Sequence, residues 1–292
     1  MEIMVSASMV KELRELTGAG MLDCKKALDE VNGNMEEAIT YLREKGISKA
    51  QKKSSRIAAE GLALSKVNGN KAVIVEVNSE TDFVAKNEEF IKLINAIADT
   101  LLESNAKTVE EALELKYEDK TINDLIIEKI STIGEKLSLR RFEIVEKKDS
   151  EVFGTYSHLN GKIVTLDVLS SDEELAKDIA MQIAAMRPSY LSKEDVPSEV
   201  VEKERTILKE TAINEGLAEN KIDMIVNGRL NKFYEEICLL EQGFIKENKM
   251  KVSKYVESKN SKILSFVRYE VGEGMEKKEE NFADEVMKQM GN

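Results

Sequence analysis

Cysteine occurs twice, proline twice, histidine once and tryptophan not at all in the 292 residues. Two thiols cannot build a disulfide framework, so a reducing, cytoplasmic setting is expected. The lone histidine, His158, leaves any zinc site or nucleophilic triad to be completed by Cys24 and Cys238, and neither has a ligand-spaced companion. Fifteen glycines and two prolines make up roughly half the usual ~12% share, which argues against a turn-rich β-sandwich. Basic charge is also short: 43 Lys and Arg face 55 Asp and Glu, a net charge of −12. General binding to a phosphate backbone needs a basic surface, so a protein partner is expected and direct nucleic-acid binding is not. No apolar run approaches the ~18 residues that cross a bilayer. Met1-Glu2-Ile3-Met4-Val5 lacks the basic start and apolar stretch of a signal peptide. No membrane association is expected. A Gly-x-x-x-x-Gly-Lys loop is missing, and Gly272-Glu273-Gly274 lacks the third glycine and the context of a dinucleotide site. Neither a cofactor nor a bound metal is expected.

What is present is helical periodicity. Apolar residues recur at Met9, Leu13 and Leu16, at Cys24, Ala27, Leu28 and Val31, and at Met35, Ala38, Ile39 and Leu42. Thr17-Gly18-Ala19-Gly20 and Asn32-Gly33 separate these stripes, and Asn34 with Glu37 is placed to open the third. Three short helices in about 40 residues suggest a compact bundle of the ubiquitin-associated type. Lys45, Lys49, Lys52, Lys53 and Arg56 follow with no acid among them, which reads as a polar linker or an exposed helix.

From Ala58 the period changes to two. Leu62, Leu64 and Val67 precede Asn68-Gly69, and Val73, Val75 and Val77 follow it, the pattern of a hairpin. A helix carries Phe90, Leu93, Ile94, Ile97 and Leu101, and two more open at Thr108-Val109-Glu110-Glu111 and Thr121-Ile122-Asn123-Asp124. Strands flanking Asn160-Gly161, then a helix with Leu175, Ile179, Ile183 and Met186, repeat the hairpin-plus-helix order. Ser171 with Glu174 reads there as a further capping box. The first copy holds six extra residues in and around Glu80-Thr81-Asp82-Phe83-Val84-Ala85, an insertion at a strand exit that could present a recognition element. The alternative is that Phe83 folds back on its own hairpin.

The fold class expected is α+β. Residues 1–56 form the N-terminal three-helix bundle and basic linker, 57–140 the first half of a duplicated core, and 141–194 with 237–274 the second half. Residues 195–236 form an inserted antiparallel helical hairpin, a candidate homodimer surface, and 275–292 a C-terminal helix.

Thr17-Gly18-Ala19-Gly20-Met21-Leu22-Asp23-Cys24-Lys25-Lys26-Ala27-Leu28, Thr81-Asp82-Phe83-Val84-Ala85 and Arg268-Tyr269-Glu270-Val271-Gly272-Glu273-Gly274 together resemble the bacterial translation elongation factor Ts family. The resemblance runs from about residue 5 to 290 and implies the same division of the fold. It implies a guanine-nucleotide exchange factor, not an enzyme, that binds elongation factor Tu in its GDP-bound and nucleotide-free forms. Carried over by position, Asp82 and Phe83 would form a wedge near the partner's magnesium and phosphate site, with Thr81 and Val84 setting its shape. Arg14, Met21, Leu22 and Lys25 would contact the GTPase domain, His158 another domain, and Phe282 and Val286 of the last helix would also dock. Ser79 and Gly243 depart from the family's usual cysteine and proline. Two rival readings are an adaptor that binds without speeding nucleotide release, and an enzyme using Glu80 and Asp82 as an acid/base pair.

Overall fold

The structure, a computed structural model, describes residues 5–276. Its contacts divide the chain into two compact units. The first takes in the described residues up to Lys66, Val73–Ile144 and those from Tyr269 on; the second takes Val67–Ala72 and Val145–Arg268. The protein is an α+β fold.

The first unit starts with three helices, α1 (Ala7–Thr17), α2 (Met21–Glu30) and α3 (Met35–Lys53). Ser6 and Asn34 cap the first and third by accepting backbone N–H groups. Gly18 ends α1 in the left-handed conformation (φ 66°), donating its N–H to Arg14 O. Val10, Leu13, Cys24, Ala27, Leu28 and Ala38 form the bundle's core. Leu16, expected on the buried stripe, is 57% exposed. In that last turn Thr17 occupies the inner position, its hydroxyl bonded to Leu13 O. The basic stretch is no linker as far as Lys53: it is the last turns of α3, where cations oppose the negative end of the helix dipole.

Strands β1 (Glu60–Asn68) and β2 (Lys71–Ser79) lead to α4 (Asp82–Ala85), α5 (Glu88–Leu102) and α6 (Val109–Glu114). The short strands β3 (Lys116–Tyr117) and β4 (Lys120–Thr121), helix α7 (Ile122–Ile133) and strand β5 (Leu137–Glu146) follow. The sheet order is β1-β2-β5. Val73, Val75 and Val77 pack with Phe90, Ile94, Ile97, Ile126 and Ile130 in one core. Thr121 and Asp124 complete a capping box. Thr108 makes only half of one, because Glu111 accepts Lys107 N–H instead of returning to Thr108.

The central strand is buried on both faces, so Glu76, which points away from the valines, has no exposure. It accepts Arg140 Nη1 at 2.8 Å, Arg141 Nε at 2.6 Å and Gly272 N–H at 2.9 Å. Burial pushes its pKa up, but the Gly272 N–H and the two guanidiniums outweigh burial and hold it below the usual carboxylate value. Gly272 has φ 75°, and a Cβ there would lie 2.2 Å from Ala59 O. Only glycine brings that N–H to the carboxylate.

In the second unit β6 (Val152–His158) pairs antiparallel with β7 (Ile163–Leu169), and α8 (Glu173–Met186) packs on both. The β6–β7 turn is a 3₁₀ turn over Leu159–Gly161, not a two-residue Asn-Gly turn. Asp172, not Ser171, caps α8. The helix starts at Glu173, which puts Leu175 and not Glu174 at the third position that a capping box requires. Helices α9 (Ser198–Asn214) and α10 (Glu219–Ile237) pack around Ala212, Ile222 and Val226. Strands β8 (Gly243–Phe244) and β9 (Glu247–Lys251), helix α11 (Val252–Ser258) and strand β10 (Ile263–Glu270) complete the unit, with sheet order β10-β7-β6. Asp167 on β7 is fully buried opposite Gly154, and neither carboxyl oxygen has a hydrogen-bond partner among the described residues.

Two stability predictions follow from these carboxyls. Glu76→Ala leaves two guanidiniums facing an apolar gap, and losing one partner of a buried ion pair costs roughly 3–5 kcal/mol. A urea titration of the variant should show that loss. Burial raises the Asp167 pKa well above 3.8. With the native value above the unfolded one, its contribution to stability is whole below the unfolded value and is lost as pH rises through the native pKa. Asp167→Asn should therefore gain on the wild type as pH rises above the unfolded carboxyl value of about 4, read as a widening gap in urea midpoints.

Candidate functional site

The extra residues between β2 and α5 form a short protruding turn. Ser79 Oγ donates to Thr81 O at 2.9 Å, closing the strand exit. One helical turn follows: Lys86 N–H donates to Phe83 O and Asn87 N–H to Val84 O. Asn87 then caps α5, its Oδ1 accepting Glu89 N–H at 2.8 Å. In that single turn Val84 and Ala85 are buried, Val84 within the core, while Phe83 is 78% exposed. The Asp82 carboxylate lies 3.0 Å from Lys86 Nζ, and that ammonium sits 5.8 Å from the Phe83 ring centre. Phe83 does not fold back on its hairpin.

The root of α4 is held from outside. Glu135 accepts Thr81 N–H at 2.9 Å and the Thr81 hydroxyl at 2.6 Å. Glu80 in turn accepts Lys136 N–H at 2.6 Å and pairs with Arg56 Nη1 at 3.2 Å. Glu80 and Asp82 thus engage different partners. Beside Phe83 lies a depression of about 320 Å³, lined by Phe83, Val84, Asn87, Glu89, Thr132 and Ile133. Hydrogen bonds from Lys129 and then Lys92 pull the Glu89 pKa to about 2, so this carboxylate stays ionised on the rim, paired with both ammoniums.

The N-terminal candidates gather at the α1–α2 reversal. Arg14, Met21, Leu22 and Lys25 are all exposed, Met21 by 55% and Leu22 by 76%. Leu16 joins them. Helical spacing sets it inside, and only its place in the last turn before the Gly18 cap points the other way. A Cβ on Gly18 would lie 3.9 Å from Thr132 Cγ2. Thr132 also lines the depression beside Phe83, so the structure brings the reversal and the protruding helix to the same end of α7. His158 belongs to the second unit, where it is exposed and stacks on Tyr156 with ring centres 6.2 Å apart. Phe282 and Val286 lie outside the described residues. Glu135 had no signal in the sequence, because it meets Thr81 across 54 positions.

No three His, Cys, Asp or Glu side chains among the described residues come together as a metal would need. No helix there is long and apolar enough to cross a membrane. Cys24 and Cys238 are buried free thiols, and burial pushes Cys238 up to about 11, away from nucleophilic use.

A sequence-family model described as elongation factor TS matches residues 80–273. That span opens at the root of the protruding helix, closes beside the Gly272 N–H that binds Glu76, and covers well over half of the chain. The chain therefore belongs to the elongation factor Ts family, the guanine-nucleotide exchange factors of translation elongation.

Proposed function

We propose that this chain binds elongation factor Tu in its GDP-bound and nucleotide-free forms and speeds GDP release by inserting Phe83 near the magnesium and phosphate site. The exposure of Phe83 carries this reading. Leaving a large apolar side chain in water forgoes roughly 1.5–3 kcal/mol of burial, while its neighbours Val84 and Ala85 are packed inside. A ring held outward on a one-turn helix suits an interface anchor. Asp82, beside it, would rearrange hydrogen bonds around the magnesium, loosening the phosphates that the ion bridges. Thr81 and Val84 set the turn that aims both.

Arg14, Met21, Leu22 and Lys25 would dock on the GTPase domain as an apolar tip flanked by cations, with Leu16 enlarging the apolar part. His158 would meet another domain of the same partner. Exchange needs no bond making. If the factor weakens GDP binding, linkage requires GDP to weaken the factor equally, so the tightest complex is the nucleotide-free one. The acid/base alternative is disfavoured because the Glu80 and Asp82 carboxylates are held by Arg56 and Lys86 respectively.

Stopped-flow release of fluorescent GDP from elongation factor Tu tests the reading. Wild type should accelerate release, and Phe83→Ala should reduce that acceleration by roughly thirtyfold, or ~2 kcal/mol. Because the ring is exposed, the same substitution should change unfolding free energy by less than about 0.5 kcal/mol. Binding without acceleration by the wild type would replace exchange with the adaptor reading.

A further inference from the structure

Two loops that lie more than fifty residues apart lend each other a carboxylate. Glu80, before α4, accepts the backbone N–H of Lys136; Glu135, after α7, accepts the backbone N–H and hydroxyl of Thr81. The exchange is reciprocal and falls on the two residues immediately preceding Asp82. Loop amides need acceptors, and at this half-buried strand exit the two carboxylates supply them. A closed ring of charge-assisted bonds fixes direction as well.

The basic end of the bundle enters the same ring. Lys53 Nζ donates to Gly134 O at 2.5 Å, and Lys136 Nζ donates to Ser54 O at 2.8 Å and Arg56 O at 2.9 Å. Arg56 pairs with Glu80. Three segments therefore meet at one node: the end of α3, the α7–β5 loop and the root of α4.

Resting on the Phe83 reading above, we infer that Glu135 is a positioning residue for nucleotide exchange, with Glu80 and Lys136 as its counterparts. Its bonds are to Thr81, so it acts through that residue. Its carboxylate holds Thr81 so that the following turn presents Phe83 in one orientation, and the bonds through Lys53, Lys136 and Arg56 tie that orientation to the bundle. A preorganised element loses less freedom on binding, so more of its contact energy appears as effect on the partner.

A double-mutant cycle on GDP release from elongation factor Tu tests this, using Glu135→Ala, Phe83→Ala, the double variant and Glu135→Gln. Glu135→Ala alone should reduce acceleration by roughly tenfold, the loss of one charged acceptor. In the Phe83→Ala background it should change the rate by clearly less than about tenfold, since the ring it aims is gone and only Asp82 is left to misplace. Glu135→Gln keeps one acceptor oxygen and should fall between; it carries the same cycle if Glu135→Ala does not reach the wild-type circular dichroism spectrum. A loss that adds fully to that of Phe83→Ala, or no loss, would overturn the inference and leave the Phe83 reading standing. A silent Phe83→Ala would overturn both.

Discussion

One buried carboxylate holds the first unit's sheet to the segment around Gly272 in the same unit. Glu76 lies on the middle strand, out of water, and stays ionised only because Arg140, Arg141 and the Gly272 N–H all reach it. An unpaired ion at that depth costs several kcal/mol, so β2, β5 and the chain around Gly272 cannot part without exposing or neutralising it. Arg141 adds a bond to Glu270 O and covers the Tyr269 ring at 4.2 Å. The same strand ends three residues later at Ser79, where the protruding turn begins. A stiff strand end is the first condition for a side chain that must be aimed.

Local chemistry explains which parts of this were legible in the sequence. Stripes such as Phe90, Leu93, Ile94, Ile97 and Leu101 repeat within one helix, and all five are buried in α5. Thr121 and Asp124 lie three positions apart and form the expected capping box. The insertion around Phe83 was visible because the second hairpin and helix lack it. Failures occur where the deciding contact is remote or one position off. Glu76 meets Gly272 across 196 positions, and 55 acidic residues give no means of singling it out. Asp172 displaces Ser171 as a cap by taking Leu175 N–H, a choice between adjacent competent residues. Leu16 satisfied the helical period but falls in the final turn, where Thr17 takes the inner place.

The basic stretch from Lys45 to Arg56 shows why charge patterns need geometry. Read alone, it is a polar linker or an exposed helix, with nothing to say what its charges meet. In the structure Lys45 lies over the Tyr41 ring, Lys49 pairs with Asp23, Lys53 bonds Gly134 O and Arg56 pairs with Glu80. Exposed pairs of this kind contribute little stability, about 0–1 kcal/mol each. Their effect is directional: Lys49 ties the third helix to the second, and Lys53 and Arg56 dock its end against the loops that carry the Phe83 turn.

That docking bears on how an exchange factor can act on a partner's nucleotide site. If the tip around Met21 and Leu22 and the ring of Phe83 engage one partner, the second contact forms at an effective concentration set by the connection between them. A flexible linker would dilute that advantage and let the tip bind while the ring stays out of the site. Here both contacts flank Thr132 at one end of α7, and the connection is a helix tied at its end by Lys53, Lys136 and Arg56. On the proposed reading, binding energy gathered at the bundle is thereby available to drive Phe83 against a nucleotide site that GDP would otherwise keep closed, an antagonism that linkage makes reciprocal.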